Sequence, residues 1–393
     1  VPVSATDIAG LAALVEREAV DLVVIGPEAP LVAGLADVLR AAGVAVVGPD
    51  AAAARLEGSK AFCREIADAA GVRIAVGGTF QDVADALDFA RARAGRVVVK
   101  ADGLAAGKGV TMCDDLAAAE RAIRACLTDG AFGEAGRRIV VEEVLVGREV
   151  SVVALCDESG VRALPAARDH KRLGDDDTGP NTGGMGAISP VDAPSDDALT
   201  RILDTVHAPI LAELARRGAP FRGVLFAGLM LTSDGPILLE CNVRLGDPET
   251  QATLPRLATP LLPLLVATAE GRLAGATADA GIQGSLLPVH DAAATAVVVA
   301  AYGYPEAPRT GDAIRGIDDA RAEGGIVFCA GVAGTPDALV TAGGRVLVVV
   351  GQGSTPDGAT DHAYRAVDRI DIAGMQVRRD IGRTPAVAAG TRP

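Results

Sequence analysis

The sequence predicts an α/β protein in three parts, and three patterns carry that prediction. Apolar runs beginning at Asp21 and Val44 flank an amphipathic helical segment, which is typical of buried parallel strands in a doubly wound unit. Short strands and helices alternate over about 72–143, as in a small α+β lid. From about residue 292 the apolar runs are mostly strand-like. The predicted domains are 1–58, 59–285 and 286–393.

Helical periodicity predicts helices over 6–18 and 31–43, and a single helix over 54–71 that ends at Gly71. Strands are expected at 73–80, 96–102, 110–113, 138–145, 148–157, 223–231 and 236–245, with helices at 81–94, 114–127 and 196–217. The polar stretch 165–190 has no clear period. We therefore expect it to be a structureless loop, and a loop of this length in a folded protein is usually functional or disordered.

The composition excludes several classes of partner. The chain has a net charge of −14, 3% aromatic residues and no tryptophan, which argues against nucleic acid and anionic membrane surfaces. The start, VPVSATDIAG, has no signal-peptide features, and no apolar run reaches membrane-spanning length. The six cysteines are scattered without a paired or zinc spacing. We expect a cytoplasmic protein with reduced thiols.

Lysine is rare in this chain. Only four of the 37 basic residues are lysines, and each lies in a polar or glycine-rich stretch. Where arginine serves most purposes, a retained lysine marks a position that needs a compact ammonium group, such as a contact with nucleotide phosphates. Chance retention is the alternative. The four residues are Lys60, Lys100, Lys108 and Lys171.

A glycine-rich segment, GLAAGKG, follows the predicted strand that ends near Lys100. It differs from a P-loop because only three residues separate Gly103 from Gly107, and because Gly109 stands where Ser or Thr would bind Mg²⁺. Its backbone N–H groups and Lys108 can still reach phosphates from a hairpin tip. We interpret it as a nucleotide lid; the alternative is a plain flexible hairpin.

The segment LLECNVRLGDPE carries the strongest metal pattern. Side chains alternate between the faces of a strand, so Glu240, Asn242 and Arg244 share one face. A carboxylate and an amide oxygen suit Mg²⁺ that is completed by substrate phosphates, and an arginine beside them can neutralise an acyl phosphate. The alternative is an edge strand with a solvated polar face.

Two further segments could contact ligands. In VVEEVLVGRE, the hinge after Glu142 can offer backbone groups to an adenine edge, and Glu149 can accept from ribose hydroxyls, although glutamate pairs at strand ends are mostly solvated. In the 165–190 loop, Asp169 could hold an amine and Lys171 a phosphate, while the glycines of NTGGMG permit close approach to a ligand. A lone histidine is more often structural than catalytic, so we assign no proton transfer to His170.

Five segments together resemble the phosphoribosylamine–glycine ligase family of the ATP-grasp superfamily: EGSKAF, KADGLAAGKGV, DHKRLGDDDTGPNTGGMGA, FAGLML and NVRLGDPETQ. The resemblance runs from about residue 21 to the C-terminus. It implies an ATP-grasp fold whose N-terminal doubly wound domain is incomplete, since the family has a further strand, loop, helix and strand before Val1. It also implies ATP-dependent ligation of glycine to 5-phosphoribosylamine through a glycyl phosphate, with Mg²⁺ or, in its place, Mn²⁺, by a monomer in purine synthesis.

The resemblance also implies residue roles. Arg244, Lys108 and Asp247 would be catalytic, and Glu240 and Asn242 would hold the metal. ATP would contact Lys60, Lys100, Gly103, Gly107, Lys108, Gly109, Glu142, Val144, Leu145 and Glu149. The two other substrates would contact Asp169, His170, Lys171, Thr182, Gly183, Gly184, Gly186 and Glu249. The alternatives are a catalytically impaired ATP-binding remnant, or another ATP-grasp carboxylase.

Overall fold

The computed structural model of the chain describes residues 3–105 and 109–383. The helices are α1 (Ile8–Arg17), α2 (Glu28–Val32), α3 (Leu35–Ala41), α4 (Ala51–Gly58), α5 (Lys60–Ala69), α6 (Val83–Arg91), α7 (Leu116–Leu127), α8 (Asp196–Ile202), α9 (Ala208–Arg216), α10 (Glu249–Thr253), α11 (Leu261–Glu270), α12 (Leu273–Asp279), α13 (Ile317–Ala322) and α14 (Pro356–Val367).

The strands are β1 (Leu22–Val24), β2 (Ala45–Val47), β3 (Gly77–Phe80), β4 (Val97–Ala101), β5 (Val110–Cys113), β6 (Ile139–Glu143), β7 (Arg148–Asp157), β8 (Gly160–Ala163), β9 (Arg168–Asp169), β10 (Arg172–Gly174), β11 (Thr178–Asn181), β12 (Gly186–Ser189), β13 (Gly223–Thr232), β14 (Gly235–Asn242), β15 (Ala293–Ala300), β16 (Ile326–Cys329), β17 (Val332–Thr335), β18 (Ala338–Thr341) and β19 (Arg345–Gly353).

The chain forms two units, and neither is continuous in sequence. The first comprises 1–164, 193–246 and 259–288, and the second comprises 165–192, 247–258 and 289–393. The division at residues 58 and 285 stays a prediction. No helix within 3–105 and 109–383 is long and apolar enough to cross a membrane.

In the first unit, β1 and β2 are parallel neighbours joined through α2 and α3, so the doubly wound pattern is confirmed. The single helix predicted over 54–71 is wrong. Ser59 has extended backbone angles and separates α4 from α5, and its hydroxyl accepts a hydrogen bond from the amide of Phe62 at 3.0 Å. Lys60 is therefore the first residue of α5 rather than a mid-helix residue.

The lid is a four-stranded antiparallel sheet in the order β3-β6-β4-β5. Its apolar face packs on α6 and α7 and forms a hydrophobic core with them. The strand residues in this core include Val97, Val99 and Val141. Alternation along the strands directs Lys100 and Glu142 to the opposite face. The helices α6 and α7 therefore do not cover the face of the lid sheet that carries the predicted nucleotide residues.

A second antiparallel sheet in the first unit has the order β14-β13-β7-β8. Gly228 of β13 lies opposite Glu240 of β14, and Phe226 lies opposite Asn242. The predicted helix over 196–217 is present as α8 and α9, joined by a π-helical turn at Leu203–His207. This sheet fixes the strand that carries the proposed metal ligands.

The second unit is built on a five-stranded antiparallel sheet in the order β16-β19-β15-β12-β9, with α14 packed against β15 and β19. The structureless loop predicted over 165–190 is wrong. β12 pairs with β15 and β9, and β10 forms a hairpin with β11. Strands β9 to β12 are two to four residues long, too short to give a recognisable period, and β12 pairs with β15, which lies far along the chain.

Candidate functional site

Lys100 is a buried charge of the candidate nucleotide site. Its Nζ lies 2.5 Å from Oε2 of Glu142 and donates a hydrogen bond to the carbonyl of Leu239 at 3.0 Å. Glu142 also accepts from Nη1 of Arg64 at 3.2 Å. Lys100 and Glu142 are each 8% exposed. Lys100 therefore links the lid strands β4 and β6 to β14. The Glu142 carboxylate forms ion pairs with Lys100 and Arg64.

Lys60 carries a second ammonium group into the same region. Its Nζ donates to the carbonyl of Gly103 at 3.4 Å. Burial lowers the pKa of Lys60, nearby Glu240 raises it, and Lys100 lowers it further. Two ammonium groups that repel each other in a partly buried site favour an anion with several charges, such as a polyphosphate.

A network that the sequence analysis missed holds the start of α5. Asp102 is 8% exposed, and its carboxylate accepts from the Ser59 hydroxyl at 2.9 Å, the Ala61 amide at 2.7 Å and Nε of Arg138 at 2.7 Å. In the sequence, the only sign of this network is that a carboxylate, Asp102, directly follows a predicted buried strand. The network fixes Lys60 relative to the glycine-rich segment that follows Asp102.

We expect Asp102→Asn to destabilise the protein by about 1–3 kcal/mol, because the amide leaves Arg138 without its charge partner and turns one acceptor into a donor. We also expect a raised KM for ATP. Chemical denaturation and initial rates measure the two effects. Asp88→Asn is the matched control, because Asp88 pairs with Arg91 at the surface. An unchanged free energy of unfolding in Asp102→Asn would contradict the assigned role.

The proposed metal face has the predicted alternation. Cys241 and Val243 are 3% and 0% exposed, whereas Glu240 and Asn242 are partly exposed on the other face. Opposite them, a Cβ at Gly228 would lie 3.1 Å from Cγ of Glu240, so a glycine there leaves room for that side chain. The described residues contain no group of three or more His, Cys, Asp or Glu side chains that could hold a metal. Glu240 and Asn242 offer a carboxylate and an amide oxygen, which could hold a metal ion whose remaining ligands come from phosphate oxygens and water.

Arg244 lies among carboxylates. Its Nη2 is 3.0 Å from Oε1 of Glu57, and its Nε is 3.7 Å from Oε2 of Glu28. Oε2 of Glu57 accepts from the amide of Val243 at 2.7 Å. Burial raises the pKa of Glu57, while Arg244 and the Val243 hydrogen bond lower it. Glu57 thus orients Arg244, a role that its alanine-rich helix does not reveal in sequence.

The other predicted nucleotide residues are only partly placed. Val144 and Leu145 are half-buried in the connection between β6 and β7, and Glu149 is half-buried on β7. Gly103 and Gly109 are the first and last residues of the glycine-rich segment. Gly107 and Lys108 lie outside the described residues, so their assigned roles stay predictions.

In the second unit, the predicted substrate residues form two adjacent segments. The amide and the hydroxyl of Thr182 both donate to the carbonyl of Lys171, each at 2.8 Å. The amide of His170 donates to the carbonyl of Gly186 at 2.9 Å. Asp169 lies beside them on β9, opposite Ala187 of β12. The structure thus brings 169–171 next to 182–186.

Arg345, which the sequence analysis missed, joins this region to Asp247. Its Nη1 donates to the carbonyls of Gly183 at 2.6 Å and Asp247 at 2.8 Å, and its Nη2 lies 2.8 Å from Oδ2 of Asp247. Glu249, 4% exposed, is the first residue of α10. At Gly184, where φ is +110°, a Cβ would lie 2.5 Å from Cδ of Pro248, so only glycine fits.

The first unit combines a lysine-bearing lid sheet with a second sheet that presents a carboxylate and an amide on one strand face. That fold and that site define an ATP-grasp enzyme. Three models of phosphoribosylglycinamide synthetase match the chain: the N domain at residues 1–57, the ATP-grasp (A) domain at 58–250 and the C domain at 294–384. The chain belongs to the phosphoribosylglycinamide synthetase family.

Curated relatives agree. The chain is 47% identical over 379 residues to phosphoribosylamine–glycine ligase of Mesorhizobium japonicum, covering 96% of this chain and 86% of the relative. It is 47% identical over 394 residues to the Streptomyces coelicolor enzyme, covering 99% and 89%. The chain is therefore a ligase that forms carbon–nitrogen bonds, with phosphoribosylamine–glycine ligase activity in purine biosynthesis.

Solved structures give the same fold. Phosphoribosylamine–glycine ligase from Thermotoga maritima superposes with a TM-score of 0.75 at 34% identity, covering 86% of this chain and 81% of that one. A biotin carboxylase domain from Hydrogenobacter thermophilus superposes with a TM-score of 0.68 at 15% identity, covering 95% and 79%. The second likeness shows the shared ATP-grasp fold alone. As an ATP-grasp enzyme, the chain uses ATP and a divalent metal ion.

Proposed function

We propose that this ligase activates glycine as a glycyl phosphate and transfers the glycyl group to 5-phosphoribosylamine. A carboxylate oxygen of glycine attacks the terminal phosphorus of ATP, and the bond from that phosphorus to ADP breaks. The amine then attacks the acyl carbon, phosphate leaves and the amine loses a proton. A carboxylate is a poor electrophile, whereas the acyl phosphate made from it can be attacked by an amine. Exclusion of water protects this acyl phosphate from hydrolysis.

The paired ammonium groups of Lys60 and Lys100 carry this proposal. Lys60 lies close enough to Lys100 and Glu240 for both charges to shift its pKa. In a protein of net charge −14, the two ammonium groups form a local cationic site that suits ATP phosphates. Lys108 would close over them, and Val144, Leu145 and Glu149 would contact the nucleoside. Arg244, oriented by Glu57, would stabilise the charge of the glycyl phosphate.

Glu240 and Asn242 would hold the metal ion, which we propose is Mg²⁺, with Mn²⁺ as a substitute. When bound, this ion supplies positive charge to the phosphate oxygens. The substrate residues of the second unit, with Asp247 and Glu249, would bind glycine and 5-phosphoribosylamine. We also propose that the enzyme is a cytoplasmic monomer.

A coupled assay of ADP release tests the proposal. We expect release only when glycine, 5-phosphoribosylamine, ATP and Mg²⁺ are all present, with glycinamide ribonucleotide formed in equal amount. Omission of each component in turn is the internal control. Release of ADP with bicarbonate instead of glycine would favour an ATP-grasp carboxylase. ATP binding without any turnover would favour an impaired remnant.

A further inference from the structure

Gly183 is the accessible point of the predicted substrate segment 182–186. Before it, Thr182 is 6% exposed, and its hydroxyl donates to the carbonyl of Lys171. After it, the amide of Gly184 donates to the Thr182 hydroxyl at 3.0 Å, and Met185 is 0% exposed in the core of the second unit. Within 182–186, all of which the structure describes, Gly183 alone is exposed. A ligand can therefore reach the backbone of the segment at this glycine.

The two peptide groups that meet at Gly183 are each held by a side chain from elsewhere in the second unit. The amide of Gly183 donates to the hydroxyl of Tyr304 at 3.0 Å. Its carbonyl accepts from Nη1 of Arg345 at 2.6 Å, and the same guanidinium binds Asp247. A Cβ at Gly183 would lie 3.1 Å from Cζ of Arg345. The guanidinium thus fills the side of the backbone on which any other residue would carry its side chain.

Tyr304 is itself firmly seated. Its amide donates to the carbonyl of Ala301 at 3.2 Å, and its carbonyl accepts from Nε2 of Gln376 at 3.0 Å. Its ring packs against the buried cluster that contains Met185. A Cβ at Gly344 would lie 2.4 Å from Cδ2 of the ring, so the glycine at this position makes room for it. The Tyr304 hydroxyl therefore has a fixed position beside the segment.

The bond between Tyr304 and Gly183 selects a conformation more than it stabilises the fold. Because Gly183 is exposed, water can satisfy its amide when the hydroxyl is absent. Glycine also has the widest choice of backbone angles. Without the bond, the segment would spend part of its time in other conformations, and a substrate would bind only the competent fraction. The apparent affinity falls in proportion to that fraction.

We propose that Tyr304 is a positioning residue for a substrate other than ATP: its hydroxyl holds the Gly183 amide, so that 182–186 is already in its binding conformation. Tyr304 acts through Gly183 and does not itself touch the substrate. Its contacts lie in the second unit, whereas the residues proposed to bind ATP lie in the first. That 182–186 meets glycine or 5-phosphoribosylamine rests on the proposed function.

Tyr304→Phe tests this role, because it removes the hydroxyl and keeps the ring. We expect KM for glycine or for 5-phosphoribosylamine to rise about threefold to tenfold, the range that one hydrogen bond supports. The substrate whose KM rises is the one that 182–186 meets. We expect kcat and KM for ATP to stay near the values of the parent protein, since the cost is met at binding. Tyr302→Phe is the matched control, because it is the same exchange in a ring that is 57% exposed.

The division of the effect between KM and kcat separates positioning from general damage. A variant that merely loosens the fold should lower kcat, weaken the use of ATP and reduce the free energy of unfolding together. Such parallel losses, or an unchanged KM for both glycine and 5-phosphoribosylamine, would overturn the proposal. Arg345→Met releases the other peptide group of Gly183, so it should raise KM for the same substrate. A rise for the other substrate alone would also contradict the proposal.

Hydrogen exchange followed by NMR keeps the inference independent of turnover. Tyr304→Phe should speed exchange of the Gly183 amide about threefold to tenfold, with no change at the Met185 amide, which donates to the carbonyl of His170. Equal exchange of Gly183 in the parent protein and in Tyr304→Phe would overturn the proposal. A parent protein without glycine-dependent ADP release would refute the proposed function, and the exchange rates would still decide whether Tyr304 holds Gly183. Faster exchange with no change in either KM would refute this inference alone.

Discussion

We expect Lys100→Arg to lower kcat/KM for ATP by about 100-fold or more, although the charge is retained. The Lys100 ammonium lies 2.5 Å from Glu142 and 3.0 Å from the Leu239 carbonyl, in a position that is 8% exposed. A planar guanidinium is larger and cannot present its charge at the same point. Loss of one preorganised donor to a developing charge typically costs about 10²–10³ in rate.

Steady-state ADP release at varied ATP concentration measures this effect, and thermal unfolding shows whether the larger side chain disturbs the fold. Arg91→Lys is the reverse exchange at an exposed pair with Asp88 and should leave activity unchanged. Full activity in Lys100→Arg would mean that the rarity of lysine in this chain reflects composition alone.

Asn242→Ala and Glu240→Gln should each lower kcat by about 10²–10³, the range seen when a charge-stabilising group is removed from an active site. Glu240→Gln should also shift the Mg²⁺ dependence to higher concentration, since it removes the only charge of the proposed ligand pair. Titration of ADP release with Mg²⁺ and with Mn²⁺ measures both effects.

Asp234→Asn is the matched control for this second expectation, because Asp234 is an exposed residue in the turn between the same two strands, β13 and β14. Near-normal turnover and an unchanged Mg²⁺ requirement in both site variants would remove Glu240 and Asn242 from the metal site.

The strand face of Glu240 and Asn242 could be predicted from sequence because alternation along a strand is a local property with a period of two. The lid could be predicted because short strands and helices alternate along 72–143, and its core residues Val97 and Val99 lie directly before Lys100 in the sequence. In both cases the side chains that form the core are close in sequence to those that form the site.

The break at Ser59 could not be predicted in this way. Apolar periodicity continues through residues 54–71, and the group that stabilises the break, Asp102, lies just after β4, 43 residues after Ser59. Arg345 likewise holds Asp247 from a position 98 residues further along. A contact between distant segments leaves no pattern in either segment, so such partners are seen only once the chain is folded.

The Lys100–Glu142 pair has a consequence for selectivity. The cationic group already has an internal counter-ion, so a phosphate that enters must share or displace the Glu142 carboxylate. A singly charged anion gains little from that exchange, because one carboxylate is replaced by one similar charge. A polyphosphate that brings its own metal ion offers several contacts at once and can outcompete the glutamate. If Lys100 binds ATP as proposed, the pair would therefore disfavour small anions of single charge through electrostatics alone.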